Sequence, residues 1–135
     1  MKSLTVPARE ECVDEVLAFV GRELESCDCP MKERYEIELA IEEIFVNIAS
    51  YAYKPVEGEA EVRCEALRDP TRVVIQFLDK GRPYDPLGRE DPDTSLKALE
   101  EREGGLGILL VKRTMGNVSY AYENGKNILT IQKEI

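Results

Sequence analysis

The hydrophobic period of this chain changes from helical to strand spacing between residues 53 and 59. That change limits the fold more than any other feature. Before it, Val13, Val16, Leu17, Val20 and Leu24 recur at helical spacing, which predicts a helix over about 10–26. Asp28-Cys29-Pro30 breaks it. Ile37, Ala40, Ile41, Ile44, Phe45, Ile48, Ala49 and Ala52 then form one wide apolar stripe, predicting a second helix over about 31–53 that Lys54-Pro55 ends. After the change, Ala60, Val62, Cys64 and Ala66 alternate with Glu59, Glu61, Arg63 and Glu65, the period of a half-exposed strand. Asp69-Pro70-Thr71 reads as a hairpin turn, and Arg72 to Leu78, apolar on both faces apart from Gln76, as a central strand.

The rest of the chain completes the pattern. Leu4 and Val6 suggest a short first strand stopped at Pro7. Residues 80–103 hold no sustained period, and a loop this long in a compact domain usually has a use, such as a lid over a site. A short helix within it, over 95–101, is also expected. A third helix is expected from Gly105 to about Met115. Val118, Tyr120 and Tyr122 alternate in a strand, Asn124-Gly125 signals a tight turn, and residues 127–133 close the sheet. The order β-α-α-β-β-loop-α-β-β, with strands paired by short turns and helices grouped, predicts an α+β two-layer sandwich.

Composition narrows the chemistry. The 135 residues suit a single domain, 1–135, and no linker divides them. The chain contains no histidine, which excludes a Ser-His-Asp or Cys-His mechanism, a histidine phosphoacceptor and any histidine metal ligand. An enzyme here must use carboxylate, Lys, Tyr or Cys. The net charge of -9 lies wholly in residues 1–67, with sixteen acidic and seven basic residues; residues 68–135 hold eleven of each. Such a chain repels nucleic acid and anionic membrane, so neither is expected as a direct partner. No export or membrane segment is visible, and a cytoplasmic location is expected. Cys27 and Cys29 are one residue apart with no second ligand pair, so a zinc site fails. Cys12, Cys27, Cys29 and Cys64 read as ordinary thiols, with a redox role at Cys27 and Cys29 as the alternative.

Three motifs could carry chemistry. On the second helix, Glu36, Ala40, Glu43 and Asn47 form a strip along one edge of the apolar stripe, and Glu43 and Asn47, four apart, meet on one face. A carboxylate one turn from a carboxamide could hold a water or hydroxyl beside a hard cation; a solvated Glu beside a capped Asn is the plain alternative. The second motif is Asp79-Lys80-Gly81-Arg82-Pro83-Tyr84-Asp85-Pro86. Asp79 ends a central strand, where it could accept a hydrogen bond from an exocyclic amine while Gly81 lets a flat ring approach. The plain alternative is a strand-ending Asp followed by turn residues. The third is Gly104-Gly105-Leu106-Gly107 opening a helix, where free N–H groups attract anions. Loop closure and tight helix packing explain an isolated glycine cluster as well.

The order of the three is more specific than any one. A helical E-x-x-x-N in ELAIEEIFVNIASYAY, a strand-ending D-x-G in LDKGRPYDP, a long loop, GGLGILLVKRTM and a closing GKNILTIQKEI together resemble the anti-sigma factor serine/threonine kinases of the Bergerat-type (histidine-kinase-like) ATPase superfamily. The resemblance spans nearly the whole chain. It implies the Bergerat ATP-binding fold, with a mixed, mostly antiparallel sheet and three helices on one face. It implies ATP and Mg²⁺ as cofactors, with Glu43 as general base and Asn47 as the Mg²⁺ ligand. Asp79 would take the adenine amine, with Gly81 admitting the ring. Gly104, Gly105, Leu106 and Gly107 would line the triphosphate under an ATP lid over about 86–103. Thr130 would lie near the adenine, and Arg102 is the nearest candidate for a lid arginine. It further implies a homodimer, a small anti-sigma factor antagonist as phosphorylation substrate, and a sigma factor as sequestered partner. Where members often carry a histidine after the asparagine motif, this chain has Tyr51, and Gly116 replaces an acidic residue often seen after the third helix. Two other readings stand beside the kinase: an ATP-gated partner-switching module with little or no catalysis, and a plain α+β interaction domain. The acidic first half could attract basic regions of a sigma factor, or could simply be a solvated helical face.

Overall fold

The computed structural model describes residues 1–53, 57–87 and 106–135, with the backbone alone at Leu106. Strand β1 (Lys2–Pro7) is followed by a 3-10 turn at Glu10–Cys12 and by helices α1 (Val13–Ser26) and α2 (Met31–Asn47). Strands β2 (Glu59–Leu67) and β3 (Arg72–Asp79) come next, then α3 (Leu106–Thr114), β4 (Asn117–Glu123) and β5 (Lys126–Glu134). The expected lid and its short helix over 95–101 lie outside the described residues, apart from Pro86 and Leu87.

The turns form where the sequence places breakers. Asp28 takes a left-handed φ of 53° after α1, and the Cys29 N–H reaches back to the Leu24 carbonyl at 3.0 Å, which satisfies a helix-end carbonyl. Asn124 and Gly125 both have positive φ, 53° and 76°, the backbone that a two-residue hairpin requires. The second helix departs from expectation at its end. Regular α-winding stops at Asn47, and Ile48–Ala52 continue as a π-helical turn. Such a turn is a common local distortion at functional sites.

The five strands form one sheet in the order β1-β2-β3-β5-β4, and every pairing is antiparallel. The expected mixed sheet is therefore wholly antiparallel. The cause is the pair of helices between β1 and β2, which return the chain to the end where β1 finished. In the second half, the tight hairpin slots β5 between β3 and β4, so the two strands that run the same way never pair.

Alternation along the strands sorts the two faces. Val6, Ala60, Val62, Cys64, Val73, Ile75, Phe77, Leu129 and Ile131 are buried against Val16, Val20 and Leu24 of α1 and Ile37, Ile41, Ile44 and Phe45 of α2. Val111 and Met115 join them from the α3 side. Phe45 is fully buried, and truncation of such a side chain costs about 3–5 kcal/mol. The other sheet face carries Glu61, Arg63, Gln76, Ser119 and Thr130, with Arg63 and Ser3 both bonded to the Glu61 carboxylate. The four cysteines are free thiols, and burial pushes Cys64 up to about 12, so it stays protonated and unreactive.

Candidate functional site

Glu43 sits at the margin of the buried stripe on α2, half-buried beside Ile44 and one turn before Asn47. The Asn47 amide nitrogen donates to Glu43 Oε1 at 3.4 Å. With its nitrogen turned to the carboxylate, Asn47 has its carbonyl oxygen left for another partner, and oxygen is the donor that a hard cation prefers. Glu36, in the same strip, belongs instead to the frame. It pairs with Lys133 Nζ at 3.6 Å, and Lys133 also donates to the Thr114 carbonyl, tying α2 and the end of α3 to β5.

Helix α3 meets α2 at Glu43. A Cβ built on Gly107 would fall 1.8 Å from the Glu43 carboxyl carbon, so only glycine fits with that side chain where it is. Gly107 near the start of α3 and the α2 carboxylate are thus neighbours in space. Gly104, Gly105 and Arg102 lie outside the described residues, as does the side chain of Leu106.

Asp79 closes β3 on the helix-facing side of the sheet and is buried, at 7 % exposure. Burial pushes its carboxyl upward, while hydrogen bonds from Asn127 and from the Gly81 backbone oppose the shift. Both bonds, each 2.9 Å, fall on Oδ1. Oδ2 has no protein partner among the described residues and is not sealed from solvent.

Gly81 has a structural reason of its own. Its Cβ would lie 2.3 Å from the Ala52 carbonyl oxygen and 2.7 Å from that carbonyl carbon, so the missing side chain makes room for the protein's own backbone. The Arg82 N–H donates to the same Ala52 oxygen at 3.1 Å, and Arg82 Nη2 donates to the Tyr51 carbonyl at 2.8 Å. Arg82 therefore caps the π-turn that follows Asn47, and it links the Asp79 loop to the helix that carries Glu43. The Tyr51 side chain is exposed. Tyr53 adds a second tie: its hydroxyl donates to the Glu59 carbonyl at 2.6 Å and accepts from the Lys80 N–H at 2.7 Å.

Thr130 is not part of this constellation. Strand alternation turns it to the opposite face, where its hydroxyl accepts from Gln76 Nε2 at 3.3 Å. The β5 residue registered with Asp79 is Asn127, which the sequence reading passed over. A signal for it existed. Counting back from the inward Ile131 and Leu129 by twos reaches Asn127, a carboxamide at an otherwise apolar position.

The described residues thus place a buried strand-end carboxylate, a helical Glu/Asn pair and a glycine near the start of α3 along the linked ends of β3, α2 and α3 of an α+β sandwich. The chain belongs to the histidine kinase-like ATPase domain family, whose model matches residues 6–133. It is similar to the serine-protein kinase RsbW of Staphylococcus aureus. In strains bovine RF122 / ET3-1 and MRSA252 the identity is 28% over 133 residues, covering 93% of this chain and 81% of each relative. Among solved structures, the histidine kinase AdeS of Acinetobacter baumannii matches with a TM-score of 0.50 and 14% identity, over 99% of this chain and 68% of that one. That likeness bears on the fold.

Proposed function

We propose that this chain is an ATP-dependent serine/threonine protein kinase that acts as an anti-sigma regulatory factor. In this reading it phosphorylates a hydroxyl of a small anti-sigma factor antagonist and, in its other state, sequesters a sigma factor. The carrying observation is the Glu43/Asn47 pair beside Gly107, fastened through Ala52 and Arg82 to the loop that holds Asp79. The name of the Staphylococcus aureus relatives, serine-protein kinase, supports the choice of reaction.

The residues fit the cofactors. ATP would supply the phosphoryl group, and Mg²⁺ would offset its charge. Asn47 would offer the metal its carbonyl oxygen. Mg²⁺ usually keeps several waters and takes few protein ligands, so one carboxamide oxygen suits it. Asp79 would accept from the adenine amine through Oδ2. Glu43 would orient the attacking hydroxyl and take its proton. Gly104, Gly105 and Gly107 would leave backbone N–H groups free for phosphate, with the lid over about 86–103 and Arg102 closing above. Phosphoryl transfer depends mainly on such positioning and charge neutralisation. A homodimer and a cytoplasmic setting complete the reading; no described helix is long and apolar enough to cross a membrane.

The test is direct. The protein is incubated with γ-labelled ATP, Mg²⁺ and a candidate antagonist, and the antagonist is assayed for phosphoserine or phosphothreonine. Labelled antagonist is expected. Bound ATP without label transfer to any such antagonist would count against kinase activity and favour a nucleotide-gated binding module.

A further inference from the structure

Asn127 uses every hydrogen-bonding position that a carboxamide has. Its nitrogen donates to Asp79 Oδ1 at 2.9 Å and to the Arg82 carbonyl at 2.9 Å, with the Gly81 carbonyl at 3.4 Å. Its oxygen accepts from the Tyr84 N–H at 3.1 Å and from the Tyr120 hydroxyl. The orientation has one solution, because a turned amide would aim its oxygen at three other oxygens. The side chain is buried, at 7 % exposure, on a strand whose next two inward positions are Leu129 and Ile131. An apolar residue would fill such a place without needing partners.

The consequence falls on Asp79. Oδ1 is engaged by two N–H donors, one from Asn127 and one from Gly81, so that oxygen is committed as an acceptor. Oδ2 is then the oxygen left for a ligand. We propose that Asn127 is a specificity-determining residue. By holding Asp79 as a pure acceptor, it makes the site take a purine with an exocyclic amine and refuse one with a carbonyl at the same place. The inference rests on the ATP reading above and deepens it. Burial alone drives the Asp79 carboxyl toward its neutral form, and a neutral carboxyl can donate to a carbonyl as readily as accept from an amine. Asn127 opposes that drift. Tyr120 and the Tyr84 backbone hold Asn127 in turn.

The experiment compares ATP with inosine triphosphate, which carries a carbonyl where ATP carries the amine. Both are titrated by calorimetry into the full chain with Mg²⁺ at neutral pH. The unaltered protein is expected to prefer ATP by about 100-fold, the size of a lost charge-assisted hydrogen bond plus an oxygen–oxygen clash. In Asn127→Asp two carboxyl groups face each other and share a proton, and the preference is expected to fall below about 10-fold. Asn127→Ser removes the amide without adding charge and serves if the first variant fails to fold by circular dichroism; the same loss is expected. A loosened fold weakens both nucleotides alike, so the ratio isolates the role proposed. An unaltered protein that discriminates, with folded variants that discriminate equally well, overturns this inference alone. An unaltered protein that binds neither nucleotide overturns the ATP reading, and this inference with it.

Discussion

Asp79 is held by backbone and by a buried amide, whereas among the described residues Glu43 is held by one side chain. At the Asp79 end, two 2.9 Å bonds fix the carboxylate, and Asn127 stitches it to residues 81–84. Gly81 lies against the Ala52 carbonyl, and Arg82 caps the helix extension behind it. At the Glu43 end, the partner is Asn47 at 3.4 Å, both groups are half-buried, and Gly107 abuts the tip of a flexible side chain. Recognition of a base needs a fixed acceptor, so its cost in ordering is met by folding. A general base must find a hydroxyl brought by a separate protein, and such geometry commonly tightens only in the complex.

The largest effect expected from this contrast is at Glu43. Glu43→Gln keeps the shape and a hydrogen-bonding tip but removes the proposed base. Label transfer to the antagonist should fall by about 10²–10⁴-fold. ATP affinity by calorimetry should stay within a few-fold, because the recognition end is built separately. A variant that loses ATP binding and transfer together would break the division between the two ends.

The two glycines sharpen the division further. Gly81→Ala drives a methyl into backbone that has nowhere to go, and overpacking of this kind costs about 1–3 kcal/mol. A lowered melting temperature and weakened ATP binding are expected together. In Gly107→Ala the nearest atoms the methyl meets are those of the Glu43 carboxylate, the end of a flexible side chain that can swing aside. Its melting temperature should stay close to that of the unaltered protein, while label transfer drops by about tenfold because the base is displaced. Equal thermal losses in the two variants would remove the distinction.

Much of this was legible beforehand, for physical reasons. The strand alternation and the helical stripes reported the two layers because burial enforces them, and Asn124-Gly125 fixed the last hairpin by its positive φ. Glu43 and Asn47 were legible because four residues on a helix bring side chains together whatever the tertiary fold. The pressure of Ala52 on Gly81 was not legible: periodicity along one segment does not reveal which distant backbone will press on it. Asn127 was missed although its inward position followed from Leu129 and Ile131, because the resemblance drew attention to Thr130, whose alternation turns it outward. The π-turn after Asn47 left no mark, since its apolar residues suit an α-helix equally well.

The smallest expected effect concerns the fixed end and its dependence on pH. Burial raises the Asp79 carboxyl above its ordinary value of 3.8, so the folded chain binds that proton more tightly than the unfolded chain does. Stability contributed by this group is therefore full below the unfolded value and is lost as pH rises through the folded one. The ionised carboxylate thus lowers stability at neutral pH, which is the cost of presenting an acceptor from a buried strand end. Asp79→Asn removes that titration. Its carboxamide can still accept from Gly81 and Asn127 through oxygen. Relative to the unaltered protein, its stability in urea should improve as pH is raised from just below 4 toward neutrality, while ATP binding is lost because an amine-facing acceptor has been replaced. A stability difference that stays flat across that range would show that Asp79 is not held ionised against burial, and the fixed end would then be no more preorganised than the Glu43 end.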